Sequence, residues 1–273
     1  MTYAPGIYAD ITNRDYHADP ALGSTSLKTL ATRTPAHWKH ERDNPVHKDV
    51  FDLGTAIHSI VLEQDESNIE EVEASSWQTK KAQEAKVAAR AEGKVPLLTK
   101  DLELARAIGA SVMKDPDAAL MLTGHKAEQS VFWEEDGLML KCRPDALNHG
   151  LIADLKSIIT ADPNTFGKTA ADLGYYMSAA HYQDGMETIT GERMPFLFIL
   201  AEKTAPYLPA VVELDEEALE YGRRMNTRAK NIYRRCLETG EYPGYIPRGR
   251  ISLPGWAINR MDDLLLETEP ANV

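Results

Sequence analysis

Cysteine is almost missing: Cys142 and Cys236 are the two in 273 residues, and they lie far apart. Two distant thiols give no metal-ligand spacing and are too few for a four-cysteine iron–sulfur cluster; a reduced, cytoplasmic setting accounts for them. Long apolar runs are also missing. No stretch approaches the roughly 18 residues of a membrane span, so no membrane association is expected. The opening, MTYAPGIYADITNRDYH, has neither the basic start nor the apolar centre of a secretory signal. Positive charge is short as well. Thirty Lys and Arg against 42 Asp and Glu leave a net charge of −12, which argues against coating nucleic acid by bulk charge. A local basic surface is not excluded. Residues 221–250 hold Arg223, Arg224, Arg228, Lys230, Arg234, Arg235, Arg248 and Arg250 against Glu238 and Glu241, a net of +6. The bland reading of that stretch is the solvated face of a helix.

What is present suffices for a core. Apolar residues make up 43% of the chain and charged residues an ordinary 26%. No repeat or linker interrupts it. One domain is expected, with an N-terminal arm and helices (1–125) packed on a core (126–273).

The chain is organised around residues 138–157, LMLKCRPDALNHGLIADLKS. Two short apolar runs flank Asn148-His149-Gly150, residues that ease a tight reversal, so a strand-turn-strand is predicted. Alternation along the second strand puts Asp154 and Lys156 on one face and Leu155 on the other. Asp145, closing the first strand, is expected to meet them across the pair. Two carboxylates and an ammonium on one spot suit a hard divalent cation, which prefers carboxylate oxygens. An ordinary Asp–Lys pair on a surface hairpin is the plainer alternative.

The rest reads as alternating helices and strands. Ser24 or Thr25 can cap a helix, and Pro35 opens a second in its first turn. FDLGTAIHSIVLE, residues 51–63, has helical apolar spacing with His58 within it. Residues 64–75 are acidic and read as a loop; residues 77–93 read as a polar helix. A capped helix is expected over 99–114, stopped by Asp115-Pro116, with a short helix to Leu122. Residues 127–134, 137–143 and 151–157 read as a three-stranded meander. Helix is expected over 174–190, buried strand over 195–201, and an edge strand over 207–214 weakened by Pro209. Asp215 caps a long helix to about Thr239. Trp256 is read as a core residue and residues 267–273 as mobile.

Pro144-Asp145 followed by Asp154-Leu155-Lys156 resembles the PD-(D/E)XK nuclease signature. GIYADITNRDYHADPALGSTSLKTL, GTAIHSIVLE and YYMSAAHYQDGM extend the likeness over nearly the whole chain to the exonuclease VIII (RecE-type) branch of that superfamily. The resemblance implies an α/β, restriction-endonuclease-like core, a mixed central sheet flanked by helices. It implies a Mg²⁺-dependent exonuclease, with Mn²⁺ as the other candidate ion. Such an enzyme degrades one strand of linear double-stranded DNA from its 5′ end and leaves a 3′ single strand for recombination by an annealing partner. Family members form homo-oligomeric rings around DNA. The implied metal ligands are Asp145, Asp154, the carbonyl of Leu155, and Glu128, which fits by order. The resemblance implies for His58, in its Gly-Thr-x-x-His context, either a place among these ligands or a contact to the scissile phosphate. Lys156 would position the attacking water. Arg143 and Tyr182 would support DNA binding. Related nucleases carry Gln-x-x-x-Tyr on one helix face; here Ser178 stands in the place of Gln, which implies altered contact to the lysine or the DNA backbone. The competing readings are a catalytically silent DNA-end binding module and a restriction-like endonuclease.

Overall fold

A computed structural model of the chain describes residues 3–45, 51–148, 150–245 and 249–268. Strand β1 (Gly6–Tyr8) and helix α1 (Asn13–Ala18) form the N-terminal arm, followed by α2 (Ser24–Thr32) and α3 (Pro35–Asp43). Helix α4 (Phe51–His58) runs straight into a π-helical turn, Ser59–Glu63. Next come β2 (Ile69–Val72), α5 (Lys80–Ala91), β3 (Val95–Leu98), α6 (Thr99–Lys114) and α7 (Pro116–Leu122). The centre is β4 (Lys126–Ala127), β5 (Ser130–Glu135), β6 (Leu138–Cys142), β7 (Ala146–Asn148) and β8 (Leu151–Ile158). Then follow α8 (Pro163–Leu173), α9 (Tyr175–Thr190), β9 (Phe196–Glu202), β10 (Pro209–Glu213), α10 (Glu216–Thr239) and α11 (Gly255–Thr268).

Five strands form the main sheet in the order β10-β9-β8-β7-β4. It is mixed: β8 and β9 run parallel, and the other neighbours are antiparallel. Parallel neighbours need a long crossover, here made by α8 and α9. Burial on both faces explains why β9 reads FLFILAE without alternation. Phe196, Phe198 and Leu200 face the cluster shared with α8, α9 and α10, while Ile199 and Ala201 face the cluster built on α4, α6 and α7. On β8, Ile152 belongs to the first cluster, and Ala153 and Leu155 to the second. The period of two then sends Asp154 and Lys156 toward the α8–α9 side. The α/β architecture with a mixed central sheet flanked by helices is therefore as expected.

Several local expectations change. The meander is split between two sheets: β5 pairs with β1 on one side and β6 on the other in a separate three-stranded sheet, and the hairpin partner of β8 is β7. Asp145 consequently lies in the link between β6 and β7, and not at the end of a strand paired with β8. His149 of the turn lies outside the described residues. Residues 64–75, read as a loop, contain β2, which pairs parallel with β3. Its sequence, IEEV, hides a strand behind two adjacent carboxylates. Thr99 is the first helical residue of α6 and not its cap, which is Leu98. Trp256, read as core, is 71% exposed on α11, and of the tail read as mobile, residues 269–273 lie outside the described residues. Asp215 caps α10 as expected, its side chain accepting from the N–H of Ala218. The cap expected at Ser24 or Thr25 is absent: Ser24 is already the first helical residue of α2, and Gly23, which has no side chain to accept, stands at the cap. Thr34 and Asp115 cap α3 and α7.

Two glycines let α9 press against its neighbours. A Cβ at Gly222 of α10 would lie 2.3 Å from the carbonyl oxygen of Tyr176, and one at Gly185 would lie 2.5 Å from the ring of Trp133. Helix propensity alone would favour alanine at position 222 by about 1 kcal/mol. Forcing two helix backbones apart costs about 3 kcal/mol or more and wins. Gly222→Ala is expected to lower the urea midpoint accordingly; an unchanged or raised midpoint would contradict this packing.

Candidate active site

The site forms where two strand pairs break at one level. Between β4 and β5 the backbone of Glu128 takes a left-handed conformation, φ 51°, and its N–H donates to the carbonyl of Asp145 at 3.2 Å. Asp145 lies in the matching break between β6 and β7. A non-glycine residue at positive φ costs about 1–2 kcal/mol, and here it turns Glu128 out of the strand alternation. Asp145 is fixed in turn. The backbone N–H of Leu155 donates to its Oδ2 at 2.7 Å.

His58 comes from the opposite layer. It is the last α-helical residue of α4 before the π turn, a distortion that recurs at functional sites. Its Nε2 is 3.0 Å from the carbonyl oxygen of Leu155. With Nε2–H as the donor there, Nδ1 faces Asp145 at 3.7 Å and Glu128 at 4.0 Å. Burial alone would lower its pKa, but the carboxylates of Asp145 and Glu128 outweigh burial, and the imidazole is held above its ordinary value.

Asp154 and Lys156 form a close ion pair on β8, 7% and 25% exposed in their side chains. Burial raises the pKa of Asp154, Asp145 adds to this, and Lys156 opposes it. Burial would lower the pKa of Lys156, yet Asp154 and Asp145 together hold it above the ordinary lysine value. Lys156 is thus an ammonium. Tyr175, at the start of α9, places its ring centroid 5.5 Å from Nζ of Lys156.

These groups open into a cleft of about 770 Å³. His58, Glu128, Asp145, Leu155, Lys156 and Arg143 all line it. Arg143 is held from behind: its Nε and Nη2 donate to Ser130 Oγ at 2.9 and 2.6 Å, Nη2 also donates to the carbonyl of Ile11 at 2.8 Å, and the ring of Tyr16 lies 4.2 Å away. The N-terminal arm thereby fixes a cation in the cleft wall. Neither Ser178 nor Tyr182 is among the lining residues. Tyr182 packs on Phe196 and Ser178 sits half-buried on α9; the α9 residue in the cleft is Tyr175. Sequence reasoning missed Tyr175, and Lys203 and Glu63 with it. A helical-wheel step of seven residues back from Tyr182 would have found Tyr175.

The basic stretch of α10 lies elsewhere. Arg223 pairs with Asp184, Glu216 and Glu220, buried Lys230 with Glu135, and Arg234 with Asp136. Among the described residues of that stretch none lines the cleft, and Arg248 is not described.

The ligand atoms of His58, Glu128 and Asp145 lie within 4.8 Å of one another. Two carboxylates and an imidazole nitrogen converging beside a cleft fit a divalent cation. Asp154 stands just outside this group, turned to Lys156, and the carbonyl of Leu155 is engaged by His58. No helix among the described residues is long and apolar enough to cross a membrane.

Comparison with known proteins bears on the family and the fold. The sequence pattern of the family described as "PDDEXK-like domain of unknown function (DUF3799)" matches residues 23–249. No curated protein matches the chain. A crystal structure of a protein from Eubacterium rectale, described as a "putative exonuclease", superposes with a TM-score of 0.63 at 15% identity, covering 97% of this chain and 99% of the other. At that identity the likeness speaks for the fold.

Proposed function

The chain belongs to the family of PDDEXK-like domains of unknown function, and from that premise we propose that it is a metal-dependent nuclease acting on linear double-stranded DNA. Family and fold support a nuclease of the PD-(D/E)XK superfamily at the coarser level. One observation carries the finer reading: His58, Glu128 and Asp145 converge next to an ammonium in an open cleft. In this reading His58, Glu128 and Asp145 would hold the ion, and Asp154 would complete the set beside Lys156. The Leu155 carbonyl orients His58 and thereby acts on the ion at one remove. The imidazole in the set makes Mn²⁺ as suitable as Mg²⁺. When bound, the ion lowers the pKa of water and offsets charge on the phosphate.

The chain's own groups do the remaining work. Lys156, kept charged by Asp154, cannot take a proton from water; it donates hydrogen bonds that orient the attacking oxygen. Arg143, immobilised by Ser130 and Ile11, presents its guanidinium edge to a phosphate oxygen without further loss of rotamer freedom. Tyr175 limits where the Lys156 chain can swing. No covalent intermediate on the protein is required. Removing charge from neither Asp154 nor Lys156 is neutral, because each keeps the other ionised in a buried place.

We propose the exonuclease mode over an endonuclease or a silent end-binding module, with digestion from the 5′ end, a 3′ single strand for an annealing recombinase, and a homo-oligomeric ring. The resemblance across nearly the whole chain supports the first of these, and the intact Asp145, Asp154 and Lys156 set speaks against the silent module. End-labelled linear duplex, incubated with Mg²⁺ or Mn²⁺ beside a closed circular control, tests the set. Linear DNA should be consumed and circles should survive; cut circles would favour the endonuclease, and intact linear DNA the silent module. His58→Ala should reduce digestion about 100-fold while the fold is kept, as seen by circular dichroism. Unimpaired digestion by that variant would return His58 to a packing role.

A further inference from the structure

Beside the catalytic cleft lies a second cavity of about 250 Å³, and the two share Gly54, Ser157 and Lys203 in their walls. We propose that this cavity is a nucleobase pocket, which takes one base of the strand being cut, next to the scissile phosphate. The inference rests on the nuclease reading above and adds to it where the substrate lies.

Size comes first. Sites for drug-sized ligands run to roughly 300–1,000 Å³, so this cavity suits a single base better than a length of chain. Its chemistry is also that of a base site. One wall is Trp77, half-buried at the margin of a small cluster with Val72, Ala82 and Leu98. Pro96, Leu97 and Leu53 add apolar surface. An indole face stacks on any base, whatever its identity. The ring already attracts a cation, with Lys86 Nζ 4.9 Å from its centroid.

The two cavities differ in their cations. Arg143 and Lys156 line the catalytic cleft alone, beside the carboxylates of Glu63, Glu128 and Asp145, and can receive phosphate; Lys203 lines both. The second cavity carries the carboxylates of Asp52 and Asp101. Asp52, itself buried, accepts from Arg90 Nη2 at 2.9 Å. A carboxylate repels phosphate but accepts the amino and imino hydrogens of a base edge. Lys203 stands on the boundary, where the sugar-phosphate would pass from one cavity to the other. Gly54 keeps that partition thin: its missing Cβ would stand 3.7 Å from Ser157 Oγ, and any longer side chain would grow into the passage. The partition residues come from α4, β8 and the segment after β9, the same elements that carry His58, Lys156 and the central sheet.

The test uses the full chain, chelator to prevent turnover, and a short 5′-phosphorylated single-stranded DNA oligonucleotide followed by fluorescence anisotropy. An abasic residue is walked inward from the end, one position at a time. One abasic position should weaken wild-type binding by roughly tenfold or more. Trp77→Ala should weaken binding of the intact oligonucleotide by a similar factor and lose sensitivity to that abasic position. Trp77→Phe should stay within about threefold of wild type. If every abasic oligonucleotide binds wild type like the intact one, or if folded Trp77→Ala binds like wild type, the pocket is refuted. In that case metal-dependent digestion of linear duplex by wild type shows that the nuclease reading still stands. Wild type that neither binds nor digests refutes both. The abasic walk needs no variant, so misfolding of Trp77→Ala cannot leave the matter open.

Discussion

Lys156→Ala is expected to reduce metal-dependent DNA digestion by at least about 1,000-fold. Preorganised charges aimed at the charge that develops during reaction are usually the largest single contribution to catalysis. The substitution also has a cost to the fold. Asp154 is 7% exposed in its side chain, and losing its cation leaves an uncompensated buried carboxylate, about 3 kcal/mol. Loss of activity alone would therefore not distinguish chemistry from unfolding. The paired variant Asp154→Asn with Lys156→Met separates them. Its urea midpoint should recover toward that of wild type, because both charges go together, while digestion stays abolished. Recovery of digestion along with stability would mean that Asp154 and Lys156 both matter only as structural counter-ions and that neither takes part in the chemistry.

Asp145→Asn is expected to be as damaging to activity and far milder on the fold. The amide oxygen of asparagine can still accept from the N–H of Leu155, the bond that anchors this side chain at 2.7 Å. Stability should change by no more than about 1 kcal/mol. What is lost is one negative charge beside His58 Nδ1, in the three-residue group proposed to hold the ion. Mn²⁺ binding, read by calorimetry without DNA, should weaken at least tenfold, and digestion should fall about 1,000-fold or more. Wild-type ion affinity in this variant would place the ion elsewhere.

Much of this site could be read before the structure, and the reason is local. Asp154 and Lys156 are two residues apart on a strand, and alternation alone puts them on one face. The long helices and the Asp215 cap were equally legible, since capping and helical spacing act within a few residues; the cap positions at α2 and α6 each fell one residue or more from where they were expected. His58 was different. Nothing around it in sequence marks it as more than a helical histidine, and only the likeness to a family pointed to its role. Long-range pairing was the hardest to see. That β6 leaves the main sheet and β7 replaces it depends on Arg143-Pro144-Asp145 crossing between sheets, which no periodicity announces. Tyr175 was overlooked because attention fell on the motif positions Ser178 and Tyr182, while the helix start reaches the cleft. The basic stretch on α10 looked like a DNA surface in composition. Several of its cations are instead taken up by acidic groups distant in sequence, such as Glu135 and Asp184, which a one-dimensional charge count cannot reveal.

The shared interruption at Glu128 and Asp145 has an evolutionary consequence. Because the N–H of one donates to the carbonyl of the other, the lengths of the two crossing segments are locked to each other. An inserted or deleted residue in 128–129 would slide one carboxylate past its partner unless 143–145 changed in step. Homologous sequences should therefore vary freely in length at the β5–β6 turn, yet show gaps in these two crossings only as matched pairs.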